Sequence, residues 1–143
     1  MLITVKKFFE KAILPERAHW PDAGADVFVP EGRGVTVEGG ETVAIPLGIG
    51  LELPAGYMAC VYPRSGWTSR GIICQLPPID SGYTGEIHAI VYNGTRAPVE
   101  IPEGAKIGQL VITPVILANF IFAAPGKHAG ESREDSAFGS TGM

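Results

Sequence analysis

The chain has 143 residues, 45% hydrophobic and 18% charged, which is one domain's length with enough apolar material for a core and argues against a multidomain protein. Its 19 glycines and 12 prolines, roughly a fifth of the chain against a usual ~12%, punctuate it without making it polar enough for wholesale disorder. The net charge of -4 leaves no broad basic surface for a nucleic-acid polymer, although a few placed cations and N–H groups can still hold one phosphate.

The first segment, LITVKKFF (residues 2–9), opens a series of short β-rich runs. The N-terminal MLITVKKFFEKAIL has no small-residue cleavage site of a signal peptide, and no apolar run approaches the ~18 residues of a membrane span. A soluble, cytoplasmic protein with no membrane partner is expected. ADVFVP (25–30), GVTVEG (34–39), TVAIPLGIGLELP (42–54) and YMACVYP (57–63) continue the series, each closed by Gly or Pro. SGWTSRG (65–71) reads either as one turn of helix capped by Ser65 or as a plain loop. QLPPIDSGYTGEIHAIVYN (75–93) has the prolines and glycines of a tight hairpin, with period-2 alternation in EIHAIVYN. APVEIP (97–102) and KIGQLVITPVILANFIF (106–122) complete the strands. This spacing predicts an all-β fold, a β-barrel or double-sheet jelly roll. Cys60 and Cys74 form no metal-ligand spacing and read as buried thiols. From Pro125 the composition turns small and polar, which divides the chain into a β domain, residues 1–124, and a flexible tail, residues 125–143.

Five pieces can carry chemistry, and each alone has an ordinary structural reading. Asp26 in AGADVF is a carboxylate on an otherwise apolar strand start, for which Arg64 is an attractive partner. In PRSG, Arg64, Ser65 and Gly66 supply charge, a hydroxyl and close backbone approach for phosphate oxygens, or simply make a turn. Asp80 and Tyr83 in IDSGYTGEI either serve the turn or act as a base and a sugar-facing wall, with main-chain groups of an open hairpin presented to a base edge. Gln109, the polar member of KIGQLV, suits a structural bond and a phosphate contact equally. In the tail, Arg133, Phe138, Gly139, Ser140 and Thr141 combine a cation, a stacking ring and small donors, the parts needed to close over a nucleoside phosphate, although solvation alone also accounts for such a tail.

In order, AGADVF, PRSG, IDSGYTGEI, KIGQLV and Arg…FGSTG resemble the five motifs of the trimeric dUTP diphosphatase (dUTPase) family, from about residue 23 to residue 142. The resemblance implies a jelly-roll β-barrel, a homotrimer with three active sites shared between chains, and Mg²⁺-assisted hydrolysis of dUTP to dUMP and pyrophosphate. Such an enzyme keeps uracil out of DNA and supplies dUMP for dTMP synthesis. Carried onto this sequence, Asp80 is the catalytic base and Tyr83 the ring that excludes a 2′-OH. Pro78, Ile79 and His88 border the nucleotide, and Arg64, Ser65, Gly66 and Gln109 contact phosphates. Arg133 meets the γ-phosphate, Phe138 stacks on uracil, and Gly139, Ser140 and Thr141 surround the phosphates. No residue ligates the metal directly, and Asp26 reaches it through water. The chain departs from the family pattern at Pro77, at Cys74, where relatives often have an asparagine facing the base, and at Glu134 and Asp135 in the tail. The related dCTP deaminases are the nearest alternative, but their proton-transferring glutamate falls where this chain has Ile90. A catalytically weak dUTP-binding regulator is the other alternative, and the retained Asp80 disfavours it.

Overall fold

Residues 1–126 are described by the computed structural model, and within them eleven strands and one helical turn are formed. The tail positions Arg133, Phe138, Gly139, Ser140 and Thr141 lie outside the described residues. In chain order the elements are β1 (Thr4–Lys7), β2 (Ala25–Phe28), β3 (Val35–Val37), β4 (Thr42–Pro46), β5 (Ile49–Glu52), β6 (Tyr57–Tyr62) and α1 (Ser65–Thr68). They are followed by β7 (Ile72–Cys74), β8 (Ile79–Asp80), β9 (His88–Asn93), β10 (Val99–Ile101) and β11 (Lys106–Pro114). All pairs are antiparallel, in the orders β1-β5, β10-β3, β4-β9-β7 and β2-β11-β6-β8. Neighbours distant in sequence and short ladders wrapped on one core agree with the expected all-β jelly roll. Val27, Val37, Ile45, Ile72, Ile101 and Ile107, from six strands of three sheets, form the centre of that core at 1% exposure or less. Among the described residues no helix is long and apolar enough to cross a membrane.

Four local expectations change. The run 42–54 is two strands, because Gly48 takes φ +76° between them, and a Cβ there would lie 2.8 Å from the Cβ of Ala12. The run 106–122 stops being a strand at Pro114, whose partner Tyr57 is the last residue of β6 available to it. Val115 still donates to the Gly56 carbonyl at 2.8 Å, but beyond it Ile116, Phe120, Ile121 and Phe122 are all more than 90% exposed. Ser65 is not the cap of α1: Arg64 holds that position in extended conformation without a side-chain bond, and Ser65 is the first helical residue, exposed. Nor is 75–93 a tight hairpin. Its ladder joins β7 to β9, and the connection between them detours to place β8 against β6 in the other sheet.

One buried polar side chain ties this frame together. Asn93, fully buried, donates through Nδ2 to the carbonyls of Val37 (2.9 Å) and Ala97 (2.8 Å) and accepts from Thr95 N and Oγ1. Cys60 and Cys74 are both buried and free, as expected. Burial, with neighbouring Cys60 adding to it, pushes the Cys74 thiol up to about 11, so it is no nucleophile at neutral pH.

Candidate active site

Asp26 is the centre of the first functional cluster. It is 7% exposed, yet it has two cations: Arg64 Nε lies 3.3 Å from Oδ1, the pairing expected from the sequence, and Lys106 Nζ lies 3.0 Å from Oδ2. Lys106 reaches it because β11 carries a bulge. Lys106 pairs with Phe28 and Gln109 with Asp26, so three steps on β11 match two on β2 and both side chains come to one face. Gly108 makes the bulge feasible, since a Cβ there would sit 2.6 Å from Val61 Cγ1. Gln109 uses its amide on the protein: Nε2 donates to the Pro63 carbonyl at 3.1 Å, which fixes the start of the PRSG segment. Gly24 is required beside it, because a Cβ would lie 2.7 Å from Gln109 Oε1.

α1 is tied to this cluster by Trp67, whose Nε1 donates to the Lys106 carbonyl at 2.9 Å. The turn thus presents Arg64, Ser65 and Gly66 along a cleft of about 430 Å³ that Trp67 and Arg70 also line. On its other side a recess of about 280 Å³ joins Arg64 and Ser65 to Asp26, Gln109 and the His19–Asp22 pair. An added Cβ at Gly66 would meet nothing within 4 Å, so packing inside the chain does not demand glycine there.

Asp80 and Tyr83 occupy a separate cavity of about 220 Å³, shared with Pro77, Pro78, Ile79 and His88. The Asp80 carboxylate is exposed at the end of β8, and Tyr83 N donates to the Asp80 carbonyl at 3.0 Å, so one turn brings ring and carboxylate together. Tyr83 Oη donates to the Glu86 carbonyl at 2.6 Å, and His88 Nδ1 faces the same oxygen at 3.2 Å. Cys74 does not enter the cavity. Its Sγ points inward to the Ile107 carbonyl at 3.6 Å, and strand alternation sends its neighbour Gln75 to the cavity wall instead.

The structure therefore gathers the predicted residues into two groups. Asp26, Arg64, Ser65, Gly66 and Gln109 form one, and Pro78, Ile79, Asp80, Tyr83 and His88 form the other. Their cavities share no lining residue. Asp80 pairs with Met58, six residues before Arg64 on the extended path of β6, a separation of about 20 Å. Sequence reasoning did not single out Lys106, Trp67, Gln75 or Glu86. The glycine of KIGQLV was the available sign of the bulge that turns Lys106 inward, and the others depend on contacts between distant segments.

The fold is thus all-β, with Arg64, Ser65 and Gly66 along one cleft and an exposed carboxylate, Asp80, beside Tyr83 in another. Residues 10–142 match the dUTPase family model, and the chain belongs to that family. It is 37% identical over 143 residues to the deoxyuridine 5′-triphosphate nucleotidohydrolase of Gloeobacter violaceus, covering 98% of this chain and 96% of the relative. To that of Leifsonia xyli it is 41% identical over 135 residues, covering 90% and 85%. Among solved structures it is similar to the Staphylococcus bacteriophage 80alpha dUTPase with dUPNHPP, at a TM-score of 0.86 and 26% identity over 99% of both chains. A dUTPase of phage phi11 of S. aureus, described with a coordinated structural Mg(II) ion, matches at a TM-score of 0.79 and 25% identity over 86% of this chain and 97% of that one.

Proposed function

We propose that the chain hydrolyses dUTP to dUMP and pyrophosphate, by attack of water on the α-phosphate. The observation that carries this reading is the cavity in which Asp80 and Tyr83 share one turn, in a chain of the dUTPase family. Asp80 orients and deprotonates the water, and Tyr83 walls off a ribose 2′-OH. Main-chain groups around Pro78 and Ile79 meet the uracil edge, with His88 bordering the nucleotide. Arg64, Ser65 and the open backbone at Gly66 take up phosphate charge, and the second N–H of Gln109 is available to the same oxygens. In the tail, Arg133 would meet the γ-phosphate, Phe138 would cover the base, and Gly139, Ser140 and Thr141 would enclose the phosphates.

The donor set suits an Mg²⁺ carried on the triphosphate. Both Asp26 oxygens already face cations, at 3.3 and 3.0 Å, so direct ligation would cost an ion pair whereas contact through water would not. Among the described residues no group of three or more His, Cys, Asp or Glu could hold a metal by itself, and Mg²⁺ that keeps several waters and binds phosphates needs none. When bound, the ion neutralises phosphate oxygens.

The separation of Asp80 from the Arg64 cradle supports shared sites in a homotrimer, where one chain's carboxylate meets another's cradle. The exposed apolar run Ile116–Phe122 supports burial between chains. Residues 125–143 would then close on a neighbour's site. A cytoplasmic location fits a substrate found where nucleotides are made.

Incubating the purified protein with each dNTP and Mg²⁺ tests the reading. Pyrophosphate from dUTP alone, from a species that sediments as a trimer, is expected. Ammonia from dCTP, or dUTP binding without turnover, would replace it with the deaminase or the regulator. Deleting residues 131–143 should leave a folded trimer that retains less than about a tenth of wild-type kcat/KM, because a lid excludes water and orders the triphosphate without being core. Loss of the trimer, or full activity, would contradict this.

A further inference from the structure

We infer that the Arg33–Glu86 ion pair is a positioning device for Tyr83, and that through Tyr83 it sets how strictly the cavity separates deoxyribose from ribose. The inference rests on the dUTP reading above. A steric wall discriminates only as well as it resists displacement, and Tyr83 is 45% exposed on a four-residue turn. Its hydroxyl supplies the anchor, through the 2.6 Å bond to the Glu86 carbonyl. Gly85 lets the ring lie against the backbone on the way, since a Cβ there would be 2.7 Å from Tyr83 Oη.

The carbonyl must itself be fixed, and the Glu86 side chain does this. Its Oε2 accepts from Arg33 Nη1 and from Gly48 N, each at 2.7 Å. Arg33 Nη1 also donates to the Pro46 carbonyl at 3.0 Å, and the guanidinium lies 3.9 Å over the Phe9 ring. Two stretches of chain, at Arg33 and Gly48, thus bond the carboxylate behind the tyrosine, and Phe9 and Pro46 hold the arginine in place. The pair is about three-quarters buried, with side-chain exposures of 24% and 23%, so removing one partner leaves a poorly solvated charge and lets residue 86 shift. The neighbouring Ile87 is clamped by Ile87 N to Ile49 O (2.7 Å) and Leu47 N to Ile87 O (2.9 Å), which confines the shift to the turn that carries Tyr83.

An ion pair that only supports the fold would lower stability and slow both sugars alike. The test is therefore kcat/KM for dUTP and for UTP, together with Tm, in wild type, Arg33→Met, Glu86→Gln and Tyr83→Phe. The dUTP-to-UTP ratio should fall roughly tenfold in Arg33→Met and Tyr83→Phe, the equivalent of one hydrogen bond. Glu86→Gln keeps an acceptor for both N–H groups and should fall less. A lower Tm with an unchanged ratio in Arg33→Met and Tyr83→Phe overturns the inference. If Arg33→Met does not fold, Glu86→Gln decides for the ion pair, a ratio unchanged there overturning the inference, while Tyr83→Phe, which leaves the pair intact, tests only the anchoring hydroxyl. A wild-type protein without dUTP turnover overturns instead the reading beneath it.

Discussion

Asp80→Asn is expected to lower kcat for dUTP by about a hundredfold or more while nucleotide binding persists. The substitution keeps the shape of the side chain and its capacity to touch a sugar hydroxyl, but an amide cannot take a proton from water. The fold should not respond, because residue 80 joins β8 to β6 through its backbone, opposite Met58, and its side chain is exposed. A hundredfold corresponds to about 2.7 kcal/mol of lost transition-state stabilisation. Turnover measured beside titration with a nonhydrolysable analogue separates the two effects. Near-normal turnover would remove Asp80 from the role of base, and lost binding would make it a substrate anchor instead.

The second large effect falls far from the chemistry. Asn93→Ala should destabilise the chain by about 3 kcal/mol, because it leaves the Val37 carbonyl unpaired in the core and frees the loop that Thr95 and Ala97 anchor. Part of the cost is recovered by Thr95, whose single hydroxyl proton, released from Asn93 Oδ1, turns wholly to the Ala97 carbonyl 3.0 Å away. For a chain of this size that loss lowers Tm by roughly 10 °C. The measurement must hold protein concentration constant, since assembly would add its own stabilisation. A Tm within two or three degrees of wild type, at about the precision of this scaling, would mean that water replaces the amide.

Much of the fold is legible in the sequence where a segment's own pattern decides its structure. EIHAIVYN alternates and becomes β9, and ADVFVP and YMACVYP become β2 and β6 with boundaries trimmed by a residue or two. Legibility ends where a partner decides. β8 is two residues long and exists only because Met58 and Ala59 lie opposite it. The strand expected to run on to Phe122 stops when β6 runs out, although VILANFIF is as apolar as what precedes it. The candidate site divides in the same way. Asp26 with Arg64 could be expected, because an inward carboxylate needs a cation and an arginine follows at a plausible distance in the chain. Lys106 could not be placed without the bulge at Gly108, nor Glu86 without Arg33, which lies 53 residues away.

The long step along β6 from Met58 to Arg64 also bears on inheritance. If a working centre draws its carboxylate from one chain and its cradle from another, two differently damaged copies need not be equally fatal together. A mixed assembly of chains lacking Asp80 and chains lacking Arg64 contains some pairings in which the surviving carboxylate meets the surviving cradle. Recessive lesions at these two places would then complement one another, whereas two lesions within the cradle would not. A distance that left a lone chain incomplete would make the population of chains more tolerant than any single one.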